Sequence, residues 1–285
     1  MHLIEAHGCV HRYYHGFPPM ERPSDNHPIG VVHGIATMLW KLSQEKPRYA
    51  AMVFDKGRST ARTKLDPCYK ANRQPPDKNL TCQIPLARRT AEMFGFYVVE
   101  SEGIEADDLI ATYTRLAVEA GHEVTIVSPD KDLYQLIQDG VSIFDPRKNT
   151  PIGSDEVRLK FGVHPEQMID FQAMCGDVSD NIKGIKNIGP KKAAALLDQF
   201  GSLEAILDNT HAIPQVGMRR NIEQDANRAR LAKKMVTLDQ CIPVTCGIDR
   251  FAYSGFDSGS VLAFLEEMEL VTLRGEIEKT LQQAA

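Results

Sequence analysis

Short apolar runs and amphipathic stretches alternate through the first half of the chain. His2–Glu5, Tyr49–Asp55, Phe96–Glu100, Glu123–Ser128 and Val141–Phe144 are short and rich in apolar residues, as strands are. Between them, Gly30–Ser43, Leu80–Phe94 and Ala106–Ala120 carry apolar residues at helical spacing over helical lengths. This alternation predicts an α/β fold with a mostly parallel central sheet flanked by helices. After about Ile152 the strand-like runs stop, so residues 1–150 read as an α/β core and 151–285 as a helical region. Lys56–Asn79 fits neither pattern. It is polar, basic and closed by Pro75-Pro76, too long for a tight connection, and predicts a mobile, positively charged lid.

Composition narrows the setting. The 285 residues are 42% hydrophobic and 25% charged, values of an ordinary globular chain. No apolar run is long enough to span a membrane. The N-terminal MHLIEAHGCVHRYYHG has neither a cationic n-region nor an apolar h-region, so the expected location is the cytoplasm. Cys9, Cys68, Cys82, Cys175, Cys241 and Cys246 form no CxxC pair, which argues for reduced thiols rather than disulfides or a zinc site. The net charge of −5 does not exclude nucleic acid, because the local field binds phosphate, not the sum. Lys56, Arg58, Arg62, Lys64, Lys70 and Arg73 stand against a single acid, Asp66, and a second basic cluster holds Lys183, Lys186, Lys191 and Lys192.

Acids gather where the strands end. Glu5 and Asp55 close the first two runs, and Asp130 and Asp132 follow the run HEVTIV. Glu105, Asp107 and Asp108 open a helix, while Asp177 and Asp180 are spaced three apart, as on one helical face. In open α/β sheets, ligands bind beyond the carboxyl ends of the strands. One such Asp alone is most often a helix cap. Caps have no reason to fall on successive strand-end loops, and acids packed together need a cation to stay ionised. Oxygen ligands without His or Cys select Mg²⁺ or Mn²⁺, and a pair of such ions suits phosphodiester cleavage.

In the lid, Tyr69 between cations suits single-stranded nucleic acid, its ring stacking on a base. A lysine beside the scissile phosphate would stabilise developing charge there. NIKGIKNIGPKKAAALL, within residues 181–200, reads as helix–hairpin–helix. Gly184 and Gly189 permit a tight turn close to phosphate, and Pro190 opens the next helix. Such an element reads backbone, not sequence. His7, His11 and His15 recur at helical spacing but read as surface or packing residues, since no partner ligand is evident.

These motifs resemble the 5′-nuclease superfamily, which includes the N-terminal domain of bacterial DNA polymerase I, phage 5′-exonucleases and flap endonucleases. The matching stretches are VFD (Val53–Asp55), YKANR (Tyr69–Arg73), GIEADD (Gly103–Asp108), SPDKDLYQL (Ser128–Leu136), GDVSDNIKGIKNIGPKKA (Gly176–Ala193) and LDQFGSLEAIL (Leu197–Leu207). The resemblance implies a PIN-like nuclease core, a helical arch over residues 56–79 and a helix–three-turn–helix that binds duplex. It implies that Asp55, Glu105, Asp107 and Asp130 serve one metal, with Asp108 nearby. Asp132, Asp177 and Asp180 would serve the second. Lys70 and Arg73 would act on the scissile phosphate, Tyr69 on a base and Arg62 as an arch arginine. Potassium at the hairpin is a family feature. The implied protein is a monomeric, stand-alone 5′-3′ exonuclease or flap endonuclease acting on 5′ flaps, ends and branches in replication and repair.

One departure stands out. Where the family's first strand ends in Asp, this chain has Glu5, whose carboxylate reaches roughly 1.5 Å farther. Catalytic constellations tolerate only about 0.5 Å of misplacement. The competing expectation is therefore a binder of branched DNA whose catalysis is weak or lost. A related RNA-cleaving PIN enzyme fits less well, since those domains are shorter and lack GIKNIGPKK.

Overall fold

The computed structural model describes residues 1–146 and 148–284. Six strands, β1 (His2–Glu5), β2 (Ala50–Lys56), β3 (Tyr97–Glu102), β4 (Val124–Val127), β5 (Val141–Asp145) and β6 (Thr150–Ile152), form one sheet in the order β3-β2-β1-β4-β5-β6. The first five run parallel, and β6 returns antiparallel to β5. The fold class is the expected one. β6 was not legible, because Thr150-Pro151-Ile152 buries only Ile152 and carries a proline that an edge alone tolerates.

In the N-terminal half the helices are α1 (Ala6–Gly16), α2 (Gly30–Gln44), α3 (Thr60–Leu65), α4 (Lys78–Thr81), α5 (Ile84–Met93) and α6 (Ala106–Glu119). There follow α7 (Ser154–Phe161), α8 (Met168–Cys175), the short hairpin β7 (Gly176–Asp177) and β8 (Ile182–Lys183), α9 (Pro190–Phe200), α10 (Leu203–Asp208), α11 (Val216–Val236), α12 (Ser258–Glu267) and α13 (Val271–Ala284). The helix expected over Leu80–Phe94 is two. Pro85 has no N–H to give the Thr81 carbonyl and its ring would strike that carbonyl, so the helix restarts with Pro85 in its first turn. The Gln83 side chain spans the break, donating to Asn79 O at 2.7 Å and accepting from Val31 N at 2.9 Å.

Alternation along the strands supplies both layers. Leu3, Val53 and Ile126 face α6 and the helices α8–α11, whereas Ile4, Met52, Phe54 and Val127 face α1, α2 and α5. The second layer is completed from the far end of the chain by Phe264, Leu265, Leu273 and Ile277 of α12 and α13. Residues 151–285 therefore do not form one helical unit: α12 and α13 fold back over the opposite face of the sheet.

The segment 56–79 is likewise not a free lid. Ser59, Arg62 and Tyr69 are buried, and the amide of Lys70 donates to Asp180 O at 3.0 Å. Lys70 itself sits at φ 54°, a left-handed conformation that a non-glycine residue adopts at a cost and that these contacts hold. Its longest exposed stretch runs from Ala71 to Asn79.

Candidate active site

The strand order reverses direction between β1 and β4, and the crevice at that switch point collects the acids. Glu5 ends β1, Asp55 lies near the end of β2, and Asp130 follows β4 through Ser128 and Pro129. Glu105 and Asp107 enter from the start of α6, and Asp177 and Asp180 from the turn of the β7–β8 hairpin.

On one side of this cluster carboxylates meet mainly carboxylates. Glu5 caps its own helix: its two oxygens accept from Gly8 N at 2.7 and 2.9 Å, and Ser128 Oγ donates to it at 3.3 Å. The extra methylene fits because residue 8 is glycine, since a Cβ there would stand 2.2 Å from Glu5 Oε2. Burial pushes the Glu5 carboxyl up to about 8, against the Gly8 amide, and Asp130 and Asp55 push in the same direction. Asp107 is raised well above the carboxylate range by burial and then by Asp130, Glu5, Asp55 and Asp132. Asp55 Oδ1 accepts from Ala106 N at 2.6 Å, and its Oδ2 lies 3.2 Å from His7 Nδ1.

On the other side the protein brings its own cations. Lys70 Nζ donates to Glu105 Oε1 at 2.5 Å and lies 3.6 Å from Asp180 Oδ2. The Arg73 guanidinium donates to Asp180 Oδ1 at 2.6 Å. Lys131 Nζ donates to Asp132 Oδ1 at 3.0 Å and to Asp177 Oδ2. Gln172 Nε2 donates to the same Asp132 oxygen, and Ser179 N to Asp177 Oδ1 at 2.8 Å. Although burial opposes it, Lys131 and Ser179 hold Asp177 below its ordinary range. Asp132 is raised to about 6 by burial and Asp130, with Lys131 pulling the other way. A cavity of about 20 Å³ between Tyr69, Asp107, Asp132 and Asp177 has room for a single water-sized occupant.

Four expected roles change. Arg62 is 6% exposed and commits every N–H inward. Its guanidinium donates to Asp108 Oδ2 at 2.5 Å and Oδ1 at 2.8 Å, to Glu105 Oε2 at 2.9 Å, and to the carbonyls of Met235 at 2.8 Å and Thr237 at 3.2 Å. It has no donor left for DNA and instead ties α3 to α6 and the end of α11. Asp108 is thereby a partner of Arg62, also accepting from Asp239 N at 2.9 Å. The Tyr69 ring is buried, so it cannot stack on a base; its hydroxyl lies 2.9 Å from Glu105 Oε2 and 3.0 Å from Asp180 Oδ2. Gly184 also differs from expectation. A Cβ there would stand 2.3 Å from Met174 O and 2.4 Å from Gly176 N, so the glycine admits the chain's own backbone.

The hairpin lysines behave otherwise. Lys183, Lys186, Lys191 and Lys192 are exposed, while Ile185 and Ile188 anchor the loop in the core. Gly189 caps α9 with open space around it. His7 and Lys131 join the site without a motif of their own in the sequence. His7 stands two residues past Glu5, and Lys131 lies between two candidate ligands, which were the available signals. His11 and His15 stack on each other at 6.0 Å along α1.

Among the described residues no three acidic, His or Cys side chains already form a closed ligand set. The donors nevertheless fit hard divalent ions. They are all oxygen, and Glu5, Asp107 and Asp132 are half-buried or buried with raised carboxyls that a cation would allow to ionise.

Comparison with known proteins agrees with this architecture. The family described as 5′-3′ exonuclease, N-terminal resolvase-like domain, matches residues 1–162, and that described as 5′-3′ exonuclease, C-terminal SAM fold, matches residues 163–259. The chain is 40% identical over 279 residues to DNA polymerase I of Rhizobium leguminosarum, covering 95% of this chain but only 28% of the polymerase. It is 31% identical over 286 residues to a 5′-3′ exonuclease of Aquifex aeolicus, covering 100% of this chain and 97% of that one. The T5 flap endonuclease, solved in a pseudo-enzyme-product complex with DNA and metal ions, superposes with a TM-score of 0.68 at 20% identity, covering 98% of this chain and 97% of that one. With both halves matched in sequence and the sheet, crevice and hairpin in place, the chain belongs to the 5′-3′ exonuclease family.

Proposed function

We propose that this chain is a structure-specific 5′-nuclease that hydrolyses DNA phosphodiester bonds near 5′ ends, flaps and branch junctions with two Mg²⁺ or Mn²⁺ ions. The observation that carries the reading is the convergence, beyond the ends of β1, β2 and β4, of buried carboxylates that need added cations to ionise together. Glu5, Asp55, Glu105, Asp107 and Asp130 would hold one ion; Asp132, Asp177 and Asp180 would hold the second, with Asp130 between them. Bound there, such ions supply a hydroxide-like water and neutralise charge on the leaving oxygen.

The chain's own residues do the rest. Glu105 and Asp180 hold the Lys70 ammonium at the crevice, where it can meet the scissile phosphate. Arg73, half-exposed above Asp180, offers a guanidinium to the same strand. Lys183, Lys186, Lys191 and Lys192, gathered at the start of α9 behind Gly189, would grip duplex backbone without reading sequence. The hairpin carbonyls there are candidates for a potassium ion. Among the described residues no helix is long and apolar enough to cross a membrane, and the six cysteines are unpaired; a cytoplasmic monomer working in replication or repair belongs to the same proposal.

The test is cleavage of a 5′-labelled flap duplex in Mg²⁺ or Mn²⁺, with chelator and Asp132→Ala controls. Cutting near the junction that disappears in both controls is expected; tight binding without cutting in either metal would remove the catalytic reading. For the hairpin, Lys186→Ala with Lys191→Ala should flatten log Kd against log salt by about 2 units. An unchanged slope would release the hairpin from DNA binding.

A further inference from the structure

The two halves of the acid cluster differ in one respect that bears on metal loading. Lys131 lies between Asp130 and Asp132 in sequence, in a 3₁₀ turn opened by Asp130, whose Oδ1 accepts from Asp132 N at 3.0 Å. That turn sends the Lys131 side chain across to the β7–β8 hairpin, where one ammonium touches both Asp132 and Asp177. These two carboxylates come from segments 45 residues apart (177 − 132), and Lys131 is the cation that joins them. No such cation contacts Glu5: its hydrogen-bond partners among the described residues are Gly8 N and Ser128 Oγ.

We infer that Lys131 is a tethered counter-cation that occupies the second divalent-ion position until that ion displaces it, so that the two ions load in order and with unequal affinity. This rests on the two-ion reading above. An ammonium in contact with two carboxylates compensates their mutual repulsion in the ion-free protein, which is a positive charge's role at that position. It cannot share the same lone pairs with a metal. Asp132 Oδ1 accepts from Lys131 and from Gln172, so a ligand role for that oxygen requires the lysine to swing outward. The path is open, since the Lys131 side chain is 38% exposed and flexible, whereas Asp132 and Asp177 are fixed by the turn amides and by Gln172. Lys131 is thus a positioning residue: it keeps the second pair of carboxylates ionised and aligned, and sets how much cation is needed to complete the site. Among the described residues no lysine or arginine pairs with Glu5 or Asp107, so that side takes the first ion.

The experiment counts bound Mn²⁺ directly, by calorimetry and by the loss of the free-ion electron paramagnetic resonance signal, on the intact chain without DNA. Wild type should bind two ions with separate affinities. Lys131→Met, which keeps the length and removes the charge, should tighten the weaker one by about tenfold, the effect of one neighbouring charge on a carboxylate. The tighter one should stay within about twofold. Lys131→Arg should leave both near wild type, and Lys131→Gln replaces Lys131→Met if the latter does not fold. A merely structural lysine predicts the opposite sign, with both sites weakened as the 3₁₀ turn loosens, and that outcome overturns the inference. So does a weaker site that Lys131→Met leaves unchanged while wild type still binds two ions, in which case the two-ion reading stands alone. Wild type that binds no ion, or only one, removes the two-ion reading and the inference together.

Discussion

Asp107 and Asp108 are adjacent on α6 and have opposite surroundings. Asp107 turns to Asp130, Glu5 and Asp55, and is pushed toward its protonated form. Asp108 turns to the Arg62 guanidinium, which grips both its oxygens. One helix start thus borders two settings: a crevice short of cations and a buried joint that already holds its own, Arg62. The difference separates acids whose partner must come from solution from acids whose partner is covalently part of the chain. Function follows the first kind and stability the second.

The largest effect expected from this contrast is on cleavage. Asp107→Ala should lower single-turnover cleavage of a flap duplex in Mg²⁺ by on the order of 10³-fold, about 4 kcal/mol of transition-state stabilisation. A loss under tenfold would put Asp107 outside the metal site. On the joint side, Arg62→Met strands Asp108 and Glu105 in the interior. It should cost about 3–5 kcal/mol in urea unfolding without metal, and a cost below about 1 kcal/mol would mean that water reaches the joint.

Neutralising the two neighbours should then move stability in opposite directions. Without divalent ions, Asp107→Asn relieves repulsion and should stabilise the fold by about 1 kcal/mol. Asp108→Asn weakens a charge-assisted pair and should destabilise it by about 2 kcal/mol. Equal signs would erase the distinction. The smallest change expected is at the β1 terminus. Glu5→Asp withdraws the carboxylate from the Gly8 amide, and cleavage should change several-fold, about 1 kcal/mol. If both Glu5→Asp and Glu5→Ala cut like wild type, Glu5 is only a helix cap.

Strand-end acids were legible in the sequence because each terminates an apolar run, and a parallel sheet sends all such ends to one edge. The resemblance carried the motifs further, to the hairpin and the lysine of YKANR. Pairing was not legible. Arg62 meets Asp108, and Lys131 meets Asp177, across chain separations that no periodicity encodes. The same limit misled the reading of Tyr69: an aromatic among cations looks exposed until the fold turns its ring inward and its hydroxyl onto Glu105. Pro85 marks the break in the sequence, but the apolar spacing continues through it and masks its effect.

The return of α12 and α13 across α2 and α5 has a consequence for how the molecule is made. The layer built by Ile4, Phe54 and Val127 emerges from the ribosome well before the side chains that finish it, Phe264, Leu265, Leu273 and Ile277. Until they arrive, that face stays open to water and to other chains. The α/β half therefore has no autonomous excision point near residue 150. A fragment or fusion that stops before α12 would keep the strand-end acids and still present a sticky, unfinished surface.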